Sequence, residues 1–294
     1  MSVDRPGSPQ GGSLAERVAS RLNTGRAAAA AAQPVSPPVL AMVIAPPAPP
    51  AARSGAQLHI NLAKLQAAGF ITPAAPRTSI AEAIRGIKRQ LLKTAFPQGM
   101  RGGPTGGNDN VIMVTSSMPG EGKTFVALNL AMSFCAERDL FVLLIDGDGH
   151  RRFLGGLLGA KEDVGLVDIL VDGKLQVGDL IQRTDIPNLS FLSGGRPHPH
   201  AAELLSSKQF GVLMQDIAER YPDRIIIIDT PPVLASNEAV VLSGHVGQTV
   251  VLVEKDRTSK RQLQRTLEML EGGRNVGCIL NMVPSEETFT GYGY

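Results

Sequence analysis

The sequence predicts a doubly wound α/β fold with a predominantly parallel sheet and helices on both faces. From Val111 onward, short aliphatic runs alternate with helix-like segments: VIMVTS, FVLLID, LSFLSG, RIIIID, TVVLV and CILN. Alternation of this kind is the signature of strands joined by helical crossovers. The run RIIIID (224–229) is apolar without a break, as a strand covered on both faces must be, so it is expected at the sheet centre. Between the first run and the helical stretch FVALNLAMSF lies a glycine-containing loop of the kind that binds phosphate.

Along the chain, residues 1–56 are rich in Ala, Pro, Gly and Ser, with an alanine run (Ala27 to Ala32) and the cluster APPAPPAA. They show no sustained apolar periodicity and are expected to form a disordered or semi-extended arm. Residues 57–78, containing LHINLAKLQAAGFITPAAP, read as a linker able to form a little structure. A helix opens at Ser79, where Ser79 and Glu82 have capping-box spacing. Ile80, Ile84, Ile87, Leu91 and Leu92 form its apolar stripe, opposite Arg85, Lys88, Arg89 and Lys93. The main domain is expected to span 79–284 and to be followed by a flexible tail, 285–294.

Composition bounds the function. A net charge of +2 over 294 residues does not favour a sequence-independent grip on nucleic acid. The two cysteines, Cys135 and Cys278, sit in apolar contexts far apart, as expected for small buried hydrophobes of a reducing compartment. No apolar stretch approaches the roughly 20 residues needed to cross a bilayer, and no secretory signal is legible. The expected location is the cytoplasm, with any membrane attachment made through a partner.

The loop Ser117-Met118-Pro119-Gly120-Glu121-Gly122-Lys123-Thr124 follows a strand and opens a helix. That order turns backbone N–H groups and a helix N-terminus toward phosphate, with Lys123 as the charge on the β/γ oxygens and Thr124 offering its hydroxyl to Mg²⁺. Ser117 stands where the pattern has its first glycine. The nucleotide-binding set is therefore Pro119, Gly120, Glu121, Gly122, Lys123, Thr124 and Phe125.

Asp146 and Asp148 end or follow the second aliphatic run, and Asp229 ends the fourth. Ligands of such sheets sit beyond the C-terminal strand ends, so the three carboxylates should converge on the phosphate loop. Phosphoryl transfer needs Mg²⁺ on the phosphates and a group that orients or deprotonates the acceptor. Asp229 and one of the paired aspartates suit the metal, and the other suits the base; which of Asp146 and Asp148 takes which role stays open.

These motifs together resemble the Walker A, A′ and B set of the bacterial tyrosine autokinases, relatives of the partition and septum-site ATPases. RTSIAEAIRGIKRQLL before the loop and GGRPHPHAAELL after the third run resemble the branch associated with exosortase and exopolysaccharide loci. The resemblance implies Mg-ATP as cofactor and substrate, catalytic roles for Lys123, Asp146 and Asp148, metal roles for Thr124, Asp146 and Asp229, and adenine contact by Asn281. It also implies a homo-oligomer, expected as a ring, with Glu82, Arg85, Lys88 and Arg89 at the subunit contact, and a membrane chain-length-determinant protein as activator. Two positions depart from the family pattern: His150 and Arg151 replace an arginine two residues after the second aspartate, and Lys88 replaces an arginine of the assembly motif. Met118 occupies the place of the partition ATPases' signature lysine, which favours the kinase branch.

Of three tyrosines in the chain, Tyr292 and Tyr294 fall in its last three residues, and the resemblance implies autophosphorylation in trans there. Tyr221 reads as structural, and His198 with His200 as part of a loop rather than a metal site. The alternatives to a kinase are an ATPase switch and a non-catalytic ATP-binding regulatory subunit of a polysaccharide machine.

Overall fold

The aliphatic runs pair side by side into one parallel sheet. In the computed structural model, residues 57–73, 78–99, 108–137, 139–148, 153–160 and 164–284 are described. The strands are β1 (Val111–Ser116), β2 (Phe141–Asp146), β3 (Gln182–Arg183), β4 (Leu189–Leu192), β5 (Arg224–Asp229), β6 (Gln248–Glu254) and β7 (Val276–Asn281). Their order is β3-β4-β2-β5-β1-β6-β7, parallel except for the short β3, which runs against β4. RIIIID lies in the middle, as its unbroken hydrophobicity requires, between β2 and β1.

Successive side chains of a strand point to opposite faces, and two cores result. One face takes Ile112, Val114, Val142, Leu144, Ile225 and Ile227; the other takes Val111, Met113, Leu143, Ile145, Ile226 and Ile228. The first core is covered by α1 (Leu62–Ala67), α2 (Ser79–Ala95), α3 (Lys123–Phe134) and α4 (Phe153–Leu158). The second is covered by α5 (Leu166–Val171), α6 (Val177–Leu180), α7 (Ala201–Leu205), α8 (Lys208–Arg220) and α9 (Glu238–Ser243). A further helix, α10 (Lys260–Met269), joins β6 to β7 and contributes Leu263 and Met269 to the second core. Among the described residues no helix is long and apolar enough to cross a membrane.

Several expectations change. The expected linker is part of the fold: Leu58, Ile60, Leu65 and Phe70 are buried in the first core, and Leu58 bridges to Thr184. Its apolar residues are too irregularly spaced to announce an element, yet these four find core positions. The cap of α2 is Thr78, whose hydroxyl accepts from Ala81 N at 3.1 Å, one residue before the expected Ser79. Glu82 is thereby one position past the capping box, and it pairs instead with Arg85.

Lys88 is the larger correction. It was expected on the exposed basic side of α2, but its side chain is buried, donating to Glu137 Oε1 at 2.5 Å and to Ser133 O at 3.2 Å at the end of α3. Its seven-residue spacing from Ala81 and Ala95 puts it on the inward face with Ile84 and Leu91. Glu82 and Arg89 remain exposed, and Arg85 is half-buried. Cys135 is half-buried, its thiol pushed up to about 12 by burial, whereas Cys278 is exposed on the edge strand β7. Tyr221 is buried in the second core with the Arg224 guanidinium 4.3 Å from its ring centroid. The arm (1–56), the tail with Tyr292 and Tyr294, and His150 with Arg151 lie outside the described residues.

Candidate active site

The phosphate loop leaves β1 at Ser116 and enters α3 at Lys123, with Gly120 and Gly122 both in the left-handed region, at φ 92° and 91°. At Gly122 the requirement for glycine is also steric: an added Cβ would stand 2.3 Å from Asn281 Nδ2. Gly122 is the N-cap of α3, so the first-turn N–H groups, Lys123 and Thr124 face the same mouth.

Ser117, the departure from the pattern, has its own partner. Its hydroxyl oxygen accepts from Thr266 Oγ1 of α10 at 2.8 Å, and neither residue has solvent exposure. A buried hydroxyl without such a bond would cost about 1–3 kcal/mol. Glu121, expected among the ATP contacts, turns its side chain away from the mouth: Oε2 accepts from Met118 N at 2.9 Å and Oε1 accepts from the Thr258 hydroxyl. Its carbonyl accepts from Asn281 Nδ2 at 2.9 Å, so Asn281 braces the loop in addition to its expected adenine role. The Phe125 ring packs at 5.0 Å from that of Phe70, leaving its main chain as the part at the helix N-terminus. Pro119 and Gly120 form the open lip.

β1, β5 and β2 are neighbours, which puts the two strand-ending carboxylates beside this loop. Asp146 and Asp229 are register partners at the ends of β2 and β5. Thr124 donates its hydroxyl to Asp229 Oδ2 at 2.5 Å. Asp146 Oδ1 accepts from Asp148 N at 3.2 Å and its Oδ2 from Gly155 N at 3.3 Å, so both oxygens are oriented by main chain. Burial pushes the Asp229 carboxyl up to about 7, the Thr124 hydrogen bond opposes the shift, and Asp146 adds to it.

These residues fit Mg²⁺. Asp229 Oδ1 is buried with no hydrogen-bond partner, beside the Thr124 hydroxyl, and all the donors are hard oxygens. Among the described residues no three acidic, histidine or cysteine side chains form a metal cage by themselves. That suits an ion held by one or two protein oxygens together with substrate phosphate and water.

Three supports escaped sequence reasoning. Thr258 grips the loop from the β6–α10 turn and Thr266 from within α10, and neither stands in a motif that marks the site in sequence. Asp168 on α5 accepts from Gly165 N (2.9 Å), Arg196 N (2.9 Å) and Arg196 Nε (2.6 Å), which holds the GGR turn in place. Gly194 of that turn lies against Asp146, where a Cβ would stand 3.2 Å from the Asp146 carbonyl oxygen. His198 and His200 are not part of this cluster; His198 Nδ1 accepts from His200 N at 3.1 Å.

No family model matches the chain. It is 34% identical over 175 residues to the tyrosine-protein kinase ptk of Acinetobacter johnsonii, covering 59% of this chain and 23% of that protein. It is also 34% identical over 189 residues to the tyrosine-protein kinase wzc of Salmonella typhimurium, covering 63% and 26%. The chain thus spans about a quarter of the length of these relatives. Among solved structures, the kinase domain of the Escherichia coli tyrosine kinase ETK matches with a TM-score of 0.62 and 28% identity, over 75% of this chain and 83% of that one. The MinC:MinD cell division complex of Aquifex aeolicus shares the fold, with a TM-score of 0.50 and 22% identity over 60% and 70% of the two chains. By sequence and fold together, the chain is a homologue of the bacterial tyrosine-protein kinases.

Proposed function

We propose that this chain is an ATP-dependent protein-tyrosine autokinase that phosphorylates Tyr292 and Tyr294 of a neighbouring copy and thereby regulates exopolysaccharide synthesis or export. The observation that carries the proposal is the meeting of Thr124, Asp229 and Asp146 at the mouth of the phosphate loop. Mg²⁺, when bound, neutralises phosphate charge and would be held by Thr124 and Asp229, with Asp146 adjacent. The loop N–H groups and Lys123 hold the triphosphate in line with the acceptor. The tyrosine oxygen forms a bond to the γ-phosphorus as the bond to the bridging oxygen breaks; ADP leaves and the phenolic proton passes to Asp146 or Asp148.

The resemblance further supports a ring-forming homo-oligomer, with Glu82, Arg85 and Arg89 on the open side of α2, and a membrane chain-length-determinant protein as activator. An ATPase switch remains the second reading, favoured by the fold shared with MinD. A mixing experiment tests the proposal. Donor chains carrying Tyr292→Phe and Tyr294→Phe are incubated with Mg-ATP and acceptor chains carrying Lys123→Met. Phosphotyrosine on the acceptor tail is expected; phosphate release to water without it would favour the switch.

A further inference from the structure

We infer that Arg257 binds the terminal phosphates of the nucleotide, as a second cation of the active site supplied by the β6–α10 turn. The inference rests on the nucleotide reading above. Arg257 belongs to none of the motifs that mark the site in sequence, yet its guanidinium lies over the phosphate loop. Nη1 stands 3.4 Å from where a Cβ on Gly120 would be, and Gly120 is three residues before Lys123.

The turn holds it there from both sides. Before it, Glu254 ends β6 and accepts from Arg257 Nη1 at 3.0 Å through Oε2. After it, Thr258 accepts from Glu254 N at 2.9 Å and donates its hydroxyl to Glu121 of the phosphate loop itself. Ser259 then caps α10, accepting from Gln262 N at 3.2 Å, so the turn cannot slide along the helix. The Arg257 side chain is nonetheless 64% exposed, which leaves its other guanidinium donors open to a ligand in the mouth.

Charge gives this position its chemistry. The mouth gathers Asp146, Asp148 and Asp229, whose mutual repulsion is felt at Asp229 and relieved there by Lys123. The loop itself supplies one cation, Lys123, and position 118 is methionine. Transfer spreads negative charge over the γ-phosphoryl oxygens and the leaving bridge oxygen, and a planar guanidinium can donate to both at once. Lysine would keep the charge and lose the forked geometry.

The test is titration of the full chain, with Mg²⁺, by the β,γ-imido analogue of ATP and separately by ADP, for the wild type, Arg257→Gln and Arg257→Lys. A charge-assisted bond of this type predicts triphosphate binding about 10- to 100-fold weaker in Arg257→Gln, a smaller loss in Arg257→Lys, and ADP affinity changed much less. Unchanged melting of the ligand-free Arg257→Gln chain separates this from misfolding. Triphosphate affinity equal to that of the wild type would overturn the contact while leaving the nucleotide site intact, and an equal loss for both nucleotides would overturn its assignment to the terminal phosphates. A wild type that binds neither nucleotide would overturn the reading beneath it as well.

Discussion

Replacing Asp229 by asparagine should change how stability depends on pH, because this carboxyl is buried beside other acids. In the ligand-free fold its pKa is raised from 3.8 to about 7, and its side chain is enclosed. Between those two values the folded chain holds a proton that the unfolded chain has released, so stability falls as pH rises through this window. The loss is complete above the folded value and absent below the unfolded one. A carboxyl displaced this far costs the fold on the order of 4 kcal/mol once ionised. For a domain of this size that is a melting shift on the order of 10 °C. Asp229→Asn keeps an acceptor for Thr124 and removes the charge, although its amide nitrogen replaces an unpartnered oxygen at a pH-independent cost of about 1–3 kcal/mol. Melting curves of both chains without Mg²⁺ or nucleotide, from pH 5 to pH 8.5, are the assay. The variant should gain on the wild type steadily as pH rises, and Mg-ATP should stabilise the wild type far more than the variant. A difference in melting temperature that stays constant across the range would show that Asp229 does not titrate in the folded chain above its ordinary value.

Three further outcomes follow from the geometry. Lys88→Met should lower the unfolding free energy by about 1–3 kcal/mol, read by denaturant titration, because Lys88 serves Glu137 and the Ser133 carbonyl within one chain; unchanged stability with altered oligomer size would place it at a subunit contact instead. Thr266→Val should cost about 1–2 kcal/mol and weaken nucleotide binding by leaving the Ser117 hydroxyl unpaired, and adding Ser117→Gly should recover part of both, as a double-mutant cycle in melting and binding would measure. Gly122→Ala should abolish nucleotide binding in titration, since φ there is 91° and the new methyl would meet the Asn281 amide.

Much of this molecule is readable in its sequence, for reasons that differ between elements. VIMVTS, FVLLID and RIIIID become strands over the same residues, because a strand buried on both faces must be continuously apolar. Convergence of the acids follows from the same rule, since parallel strands end together and Asp146 and Asp229 end adjacent ones. What stayed hidden depends on contacts far apart in the chain. Nothing near Lys88 announces Glu137, 49 residues away. The tolerance of Ser117 depends on Thr266, 149 residues on, and the inward turn of Glu121 depends on Thr258. CILN looks like the other aliphatic runs, but it forms β7 at the sheet edge, and Cys278 and Leu280 are exposed there. Strand order decides that, and composition does not encode it.

In the proposed function these acids and this loop move phosphate from ATP to tyrosine. Mass spectrometry of the purified chain after incubation with Mg-ATP, beside Lys123→Met, tests it most directly. Phosphate on Tyr292 or Tyr294 that is absent from the Lys123→Met chain is the predicted result. Steady release of phosphate to water, with both tyrosines unmodified even when the cytoplasmic segment of a chain-length-determinant protein is present, would contradict it.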